Sequence, residues 1–446
     1  MLLGTTRNAS FSSSSVTLLR ACGRWRRSPS RFGRKRVMAT QISTLEDLAL
    51  PYLDYESYEY RADPASVVRA AREQIWLARS VRGYEVLSYG TCSQLTLDKE
   101  HLDGAGSEYY RQQNASDLIL QYASEGMLPL IPWIRHDPIR RVLQRAFSAP
   151  RVRQLRPVMR ACAEGLLDAH TVSGELDLVA DFNDAYPIEV VCRLLGVPVA
   201  DIPLFKEWTV SLARLSHYPI DPFMGEIDRA LRGLYEYFRD LVARRRAEPA
   251  HDFVTAVIEA ESDPGNADRL SEGEMFGALV NLLFAGHDTT RLQLGSAVAL
   301  LMQNRNQWEA LVENPDLATA AIDESMRLQP SLHTILRTVT RDLVVDDIHF
   351  SPGTPIALNI FAANRDPAMF RNPDEFDLTR ANAAKHLTFG RGHRLCLGHA
   401  LARAEMTEAL QVLATRFPDM HLVESSAFSG SSAATQGPEM IRLRLI

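Results

Sequence analysis

Apolar residues in this chain recur mostly at helical spacing. Residues 273–303 are apolar on almost every face, over a length no strand reaches. That pattern predicts a long helix buried on most sides. Residues 226–246 separate charged from apolar positions with a helical period and predict an amphipathic helix. A basic helix is predicted over 139–147, another over 316–328 ended by Pro330, and a last long helix over 397–417. Residues 166–195 carry helical periodicity interrupted at Gly174 and Pro187. Strand signals are fewer. Residues 84–89 read as one strand, and 343–350 with 355–358 as a hairpin-like pair across Ser351-Pro352-Gly353. After Glu46 no Gly-, Pro- or Ser-rich linker and no internal repeat divides the chain. The expectation is one mainly α domain over residues 46–446, with a small β region.

Composition changes this picture only at the N-terminus. Residues 1–45 hold nine Lys or Arg, no Asp or Glu, and the Ser-rich run 10–15. This basic extension reads as lying outside the fold. It is a disordered arm, an organelle transit peptide, or residues ahead of a true start at Met38. The whole chain is ordinary for a globular protein, 46% hydrophobic and 23% charged. Its 446 residues suffice for a core that encloses a cofactor. A formal charge of −6 gives no nucleic-acid signature. The apolar runs are too short for a membrane anchor. Five cysteines, at 22, 92, 162, 192 and 396, form no C-x-x-C pair. Their scatter argues against disulfides and zinc and fits a reducing compartment, so the expected location is cytoplasmic, or an organelle if the extension is a transit peptide.

The chemistry concentrates around one cysteine. In Phe389-Gly390-Arg391-Gly392-His393-Arg394-Leu395-Cys396-Leu397-Gly398, two closely spaced glycines allow a tight backbone and close approach of a flat ligand. Cys396 precedes the last long helix. The helix N-terminus and Arg394 favour a thiolate, and following N–H groups can tune the sulfur. Within the buried helix, Ala285-Gly286-His287-Asp288-Thr289-Thr290 places an acid and two threonines where they are locally unfavourable. A threonine there can bond the backbone and bend the helix, and small Ala and Gly leave room for a small ligand. Glu324 and Arg327 stand at i and i+3 on one helix face, as His136 and Arg140 do at i and i+4.

Phe389, Gly392, Arg394, Cys396 and Gly398 fill all five fixed positions of the cysteine loop that the segment resembles, that of the cytochrome P-450 superfamily. The likeness runs from about Asp137 to Ile446 and is of the soluble bacterial type. It implies a fold of about a dozen helices with haem enclosed between two long ones. It also implies haem b as cofactor, Cys396 as axial iron ligand, and Phe389, Gly392 and Gly398 as the loop that holds the haem. His136, Arg140, Arg337 and Arg394 become propionate partners. Asp288 and Thr289 become the acid–alcohol pair that relays protons to dioxygen. Glu324, Arg327 and Arg380 become a structural charge network. Phe284, Ala285, Leu332, His333 and Leu336, with the 215–224 region, are expected to line an apolar substrate pocket.

The implied function is a monooxygenase that inserts one atom of O2 into a small apolar organic compound by hydroxylation or epoxidation. Electrons would come from a separate ferredoxin or flavodoxin with its reductase. Arg140, Arg141, Arg145, Arg391 and Arg403 are candidates for a basic docking face. A peroxide-driven peroxygenase is the alternative enzyme, although such members tend to lack the acid–alcohol pair. A non-catalytic haem sensor is the alternative outside catalysis and has no need of a proton relay.

Overall fold

The computed structural model describes residues 43–147, 149–217, 219–263, 265, 268–426 and 435–445. The basic extension lies outside the described residues, apart from Ser43–Thr44, which pairs in parallel with Ile348–Phe350, and Leu45. The axis of the fold is the predicted buried helix, Glu272–Gln303. It opens on a capping box, with Ser271 Oγ accepting from Glu274 N–H and the Glu274 carboxylate accepting from Ser271 N–H. Helices Tyr186–Leu195, Met224–Ala247, Ala318–Leu328 and His399–Arg416 pack around it, so most of its side chains between Glu274 and Leu301 are buried. The expected dozen helices become sixteen among the described residues. Four of them, Tyr58–Ala62, Glu108–Gln112, Asp117–Gln121 and Ile360–Ala363, are too short to leave a periodic signal.

Several boundaries shift for identifiable reasons. The basic helix runs Trp133–Ala146 and accommodates Pro138 inside its second turn. Pro187 does not break a helix. It sits in the first turn of Tyr186–Leu195, where its missing N–H has no intrahelical partner to lose. The strand predicted at 84–89 is Gly83–Val86, because Ser88 caps a helix that begins at Tyr89. The hairpin pairing was wrong. Leu343–Val345 pairs with Ile348–Phe350 across Asp346 and Asp347, both at positive φ (46° and 64°), as a two-residue turn of the mirror-image kind requires. Pro355–Asn359 instead joins a five-stranded sheet, in the order Leu77–Ser80, Gly83–Val86, Pro355–Asn359, Thr334–Val339, Leu102–Gly104. That sheet puts Arg337 directly opposite Gly104.

Glu324, Arg327 and Arg380 meet. Glu324 and Arg327 are both 0% exposed. Arg327 Nε and Nη2 donate to the two Glu324 oxygens, each at 2.8 Å, and Arg380 Nε donates to Glu324 Oε1 at 2.9 Å. Arg327 also donates to the carbonyls of Asn364, Pro373 and Glu375. The network therefore ties helix Ala318–Leu328 to the long non-regular stretch that leads to the cysteine loop. Replacing Arg327 by Met should cost about 3–5 kcal/mol, since Glu324 would remain buried with half its charge unanswered. The measurement is a denaturant midpoint at unchanged slope. A loss below about 1 kcal/mol, the range of an exposed pair, would mean that the network carries no such strain.

Candidate functional site

The cysteine loop is short and tightly tied. Cys396 N–H donates to Phe389 O at 2.8 Å, closing residues 389–396 into a ring. Gly392 has φ +65°, and a Cβ there would come within 2.6 Å of Leu97 Cδ2, so both conformation and space select glycine. Phe389 packs beneath the Arg403 guanidinium, 5.6 Å from the ring centroid. Gly398 faces open space. Of the four described free cysteines, Cys396 alone is accessible. It is nonetheless deep, since burial pushes its thiol up in pKa against the lowering effect of the Gly398 and His399 N–H groups and of Arg140. A thiol that is both deep and accessible faces an internal cleft.

Positive charge gathers around that cleft. Arg337 is 5% exposed, and among the described residues its side chain donates only to the Leu336 carbonyl. Burial pushes its pKa down to about 9, and nearby Arg394 adds to the effect. Arg140 makes no hydrogen bond or ion pair among the described residues, and burial lowers its pKa while Cys396 and Asp137 hold it up. His136 is buried against Asp137, Nδ1 to Oδ1 at 3.1 Å. Desolvation, then Arg394, pushes its pKa down to about 4. Arg394 is the best satisfied. It donates to Asp103 Oδ1 at 2.8 Å and to the carbonyls of Leu128 and Ile131, and lies 4.0 Å from the Trp133 ring centroid. Its Nε is buried without a partner. Asp103 and Trp133 were not among the sequence candidates. Nothing in the spacing of Asp103 marks it, whereas Trp133 stands where the likeness to the family pattern departs.

The central helix crosses this region with one accessible strip. Leu282, Ala285 and Thr289 lie a turn apart, Ala285 exposed and the other two half-buried, while Leu283, His287, Asp288 and Thr290 are buried. Thr289 Oγ1 donates to Ala285 O at 2.8 Å, the back-bond expected of a mid-helix threonine. Asp288 is 4% exposed and accepts from Arg291 at 2.9 Å. Arg291 also reaches Asp184, at 3.5 Å. His287 Nε2 lies 3.2 Å from Asp184 O.

The pocket residues divide. Ala285 and Leu336 are exposed, Phe284 and Leu332 half-buried. His333 does not line a pocket: it is 3% exposed, stacks on Phe361 with centroids 4.7 Å apart, and both ring nitrogens lack partners. It points away because strand Thr334–Val339 begins one residue later and the chain is already committed to the sheet. The basic docking face is also thinner than its arginine count suggests. Arg141 is paired with Asp268, Arg145 lies 3.9 Å from Asp263, and Arg403 donates to Asp323. Arg391 bonds Ser93, and Arg140 keeps its charge unpaired.

These residues fit a planar ligand with two carboxylates and a metal. The accessible thiol would meet the metal, and the guanidinium groups of Arg140, Arg337 and Arg394, with the uncharged imidazole of His136, would donate to the carboxylates. Among the described residues no helix is long and apolar enough to cross a membrane.

Comparison with known proteins gives a consistent result. The family model for Cytochrome P450 matches residues 204–419. The chain is 36% identical over 292 residues to Cytochrome P450 107B1 of Saccharopolyspora erythraea, spanning 65% of this chain and 69% of the relative. It is 33% identical over 367 residues to cyclomarin C epoxidase CymV of Salinispora arenicola, spanning 81% and 90%. Among solved structures, the cytochrome P450 enzyme CxnD for C–S bond formation in chuangxinmycin biosynthesis matches with a TM-score of 0.78 at 29% identity, over 89% of this chain and 97% of that one.

The buried histidines set an acid limit. Burial depresses the pKa of His136 and His287 to about 4 and of His333 to about 3, from an ordinary 6.5. Groups depressed in this way contribute stability that is complete above pH 6.5 and lost as pH falls toward 3. His333→Phe should flatten that acid slope, because a phenyl ring replaces two unpartnered nitrogens. The check is the denaturation midpoint at pH 7 and at pH 4.5 for both proteins. An unchanged difference between the two pH values would show that His333 is already solvated.

Proposed function

The chain belongs to the cytochrome P450 superfamily in its bacterial type, and on that premise we propose how its own residues serve the reaction. It is a haem-thiolate enzyme, a P450 monooxygenase. Its resident group is haem b, held with Cys396 as the iron ligand. Haem supplies the oxygen chemistry, activating O2 and inserting one atom into the substrate, with the thiolate favouring O–O cleavage. The observation that carries the assignment is Cys396 itself: the sole accessible thiol of the described four, in a ring closed onto Phe389.

The residues around it hold and orient. Arg140, Arg337, Arg394 and His136 take the propionates, exchanging incomplete hydrogen bonding for charge-assisted bonds. Phe389, Gly392 and Gly398 keep the loop low enough for a flat ring to lie on it. Thr289, on the accessible strip of the central helix, presents a hydroxyl that can hold water once it leaves the Ala285 carbonyl. Asp288 sits behind it and moves protons inward from the Arg291–Asp184 pair, which reaches partly solvated ground. Ala285, Leu336, Phe284 and Leu332 offer apolar cover and favour an apolar organic substrate, with hydroxylation or epoxidation as the reaction. Electrons come from a separate ferredoxin or flavodoxin with its reductase, docking where Arg391, bonded only to the Ser93 hydroxyl among the described residues, remains the least neutralised charge.

Two variants test this reading. Cys396→Ser, loaded with haem, should lose the thiolate-type Soret band of the reduced carbon monoxide complex; survival of that band would refute the ligand assignment. Thr289→Ala should bind substrate and consume reductant as before while product falls by about 10-fold or more and hydrogen peroxide accumulates. Product, peroxide and reductant are measured together. Unchanged coupling would reduce Thr289 to a helix-bending residue.

A further inference from the structure

Two polar side chains in the segment between helices Ile202–Ala213 and Met224–Ala247 each keep a buried nitrogen without a hydrogen bond among the described residues. Arg214–Ser216 is a single 3-10 turn, closed by His217 N–H donating to Arg214 O at 3.0 Å. Side chains three apart eclipse in such a turn, so Arg214 and His217 project to the same side. Phe223 receives both. The Arg214 guanidinium stands 5.0 Å from its ring centroid, and the His217 ring 5.2 Å. Arg214 Nε and His217 Nδ1 are buried and make no hydrogen bond.

The acids within reach along the chain do not answer them. Glu226 accepts from Ser211, Asp228 from Ser116 and Glu108 from Arg111, and Asp221 is exposed. The other described side chains of the segment include apolar ones: Leu215 and Ile220 are buried, Phe223 and Met224 half-buried against the core. The backbone of the turn is held from across the fold, since Tyr109 Oη donates to His217 O at 2.7 Å and Tyr110 Oη to Leu215 O at 3.3 Å. Arg214 and His217 are therefore pre-positioned rather than merely loose, which lowers the entropy lost when a ligand binds.

We propose that Arg214 and His217 form a carboxylate-binding site, and that the substrate is an amphipathic organic acid whose apolar chain runs from there toward the accessible strip of the central helix. This rests on the monooxygenase reading and narrows it. A fork of guanidinium donors beside an imidazole matches a carboxylate, and half-buried Phe223 and Met224 suit the first methylenes behind it. A buried donor left unanswered penalises any ligand that lacks the acceptor, so the site selects for the acid over the alcohol of equal length.

The test uses the haem-loaded full chain and the haem spin-state shift, with dodecanoic acid, 1-dodecanol and acetate as probes. Wild type should bind dodecanoic acid about 10-fold or more tightly than 1-dodecanol, the worth of one charge-assisted pair. Arg214→Gln should abolish that preference by weakening the acid alone, and Arg214→Lys should retain part of it. Millimolar acetate should not displace the acid. Equal affinity for acid and alcohol in wild type, a preference that survives in Arg214→Gln, or no spin shift with either long-chain probe would each overturn the proposal. Displacement by acetate would also overturn it, leaving a site for free small anions. The reduced carbon monoxide spectrum of each protein is recorded first. A missing thiolate band there would count against the haem-thiolate reading itself, and a normal one confines any failure to the acid site.

Discussion

Charge without an answer is the constraint around which this molecule is arranged. Arg140, Arg337, Arg394 and His136 converge on one cleft, with Asp103 and Asp137 as their acidic neighbours. Burying cations is costly unless an anion is near, and the depressed pKa values of Arg337 and His136 record that cost. A dianionic cofactor bound there would relieve the repulsion among the three guanidinium groups, so that cofactor and protein would stabilise one another. The Glu324–Arg327–Arg380 network is the counter-example nearby: buried just as deeply, but complete within the chain. Its role is to hold the scaffold, and it leaves nothing for a ligand.

How much of this was legible in the sequence follows from where each signal is stored. The cysteine loop was legible because ring closure, positive φ and close approach all demand particular residues at fixed offsets. The long helix was legible because an element covered on every side is apolar on every side. The pairing of Pro355–Asn359 was not, since an apolar strand does not name its partner, and the turn at Asp346-Asp347 was passed over for the more conspicuous Ser351-Pro352-Gly353. Asp103 was invisible because its importance lies in tertiary proximity to Arg394. His333 was misread for a related reason: a position next to apolar pocket candidates says nothing about which way a side chain turns when a strand begins.

Neutralisation within the fold also reshapes the expected redox face. Arg135, Arg141 and Arg145 on helix Trp133–Ala146 face Glu274, Asp268 and Asp263 from the segment that leads into the central helix. A partner approaching this surface meets dipoles of paired charge more than a field of free arginines, so long-range steering is weaker than a count of basic residues implies. The same pairs join the helix carrying His136 and Arg140 to the start of the helix carrying Asp288 and Thr289.

The ties from Tyr109 and Tyr110 end on main-chain carbonyls, not on side chains. Every residue type offers that acceptor, so the anchor does not itself depend on which side chains stand at positions 215 and 217. The side chain at position 217 can then be exchanged without releasing the segment that carries it. Attachment and selectivity are stored in separate parts of the same few residues, and a lineage or an experimenter can rewrite the second while the first stays in place.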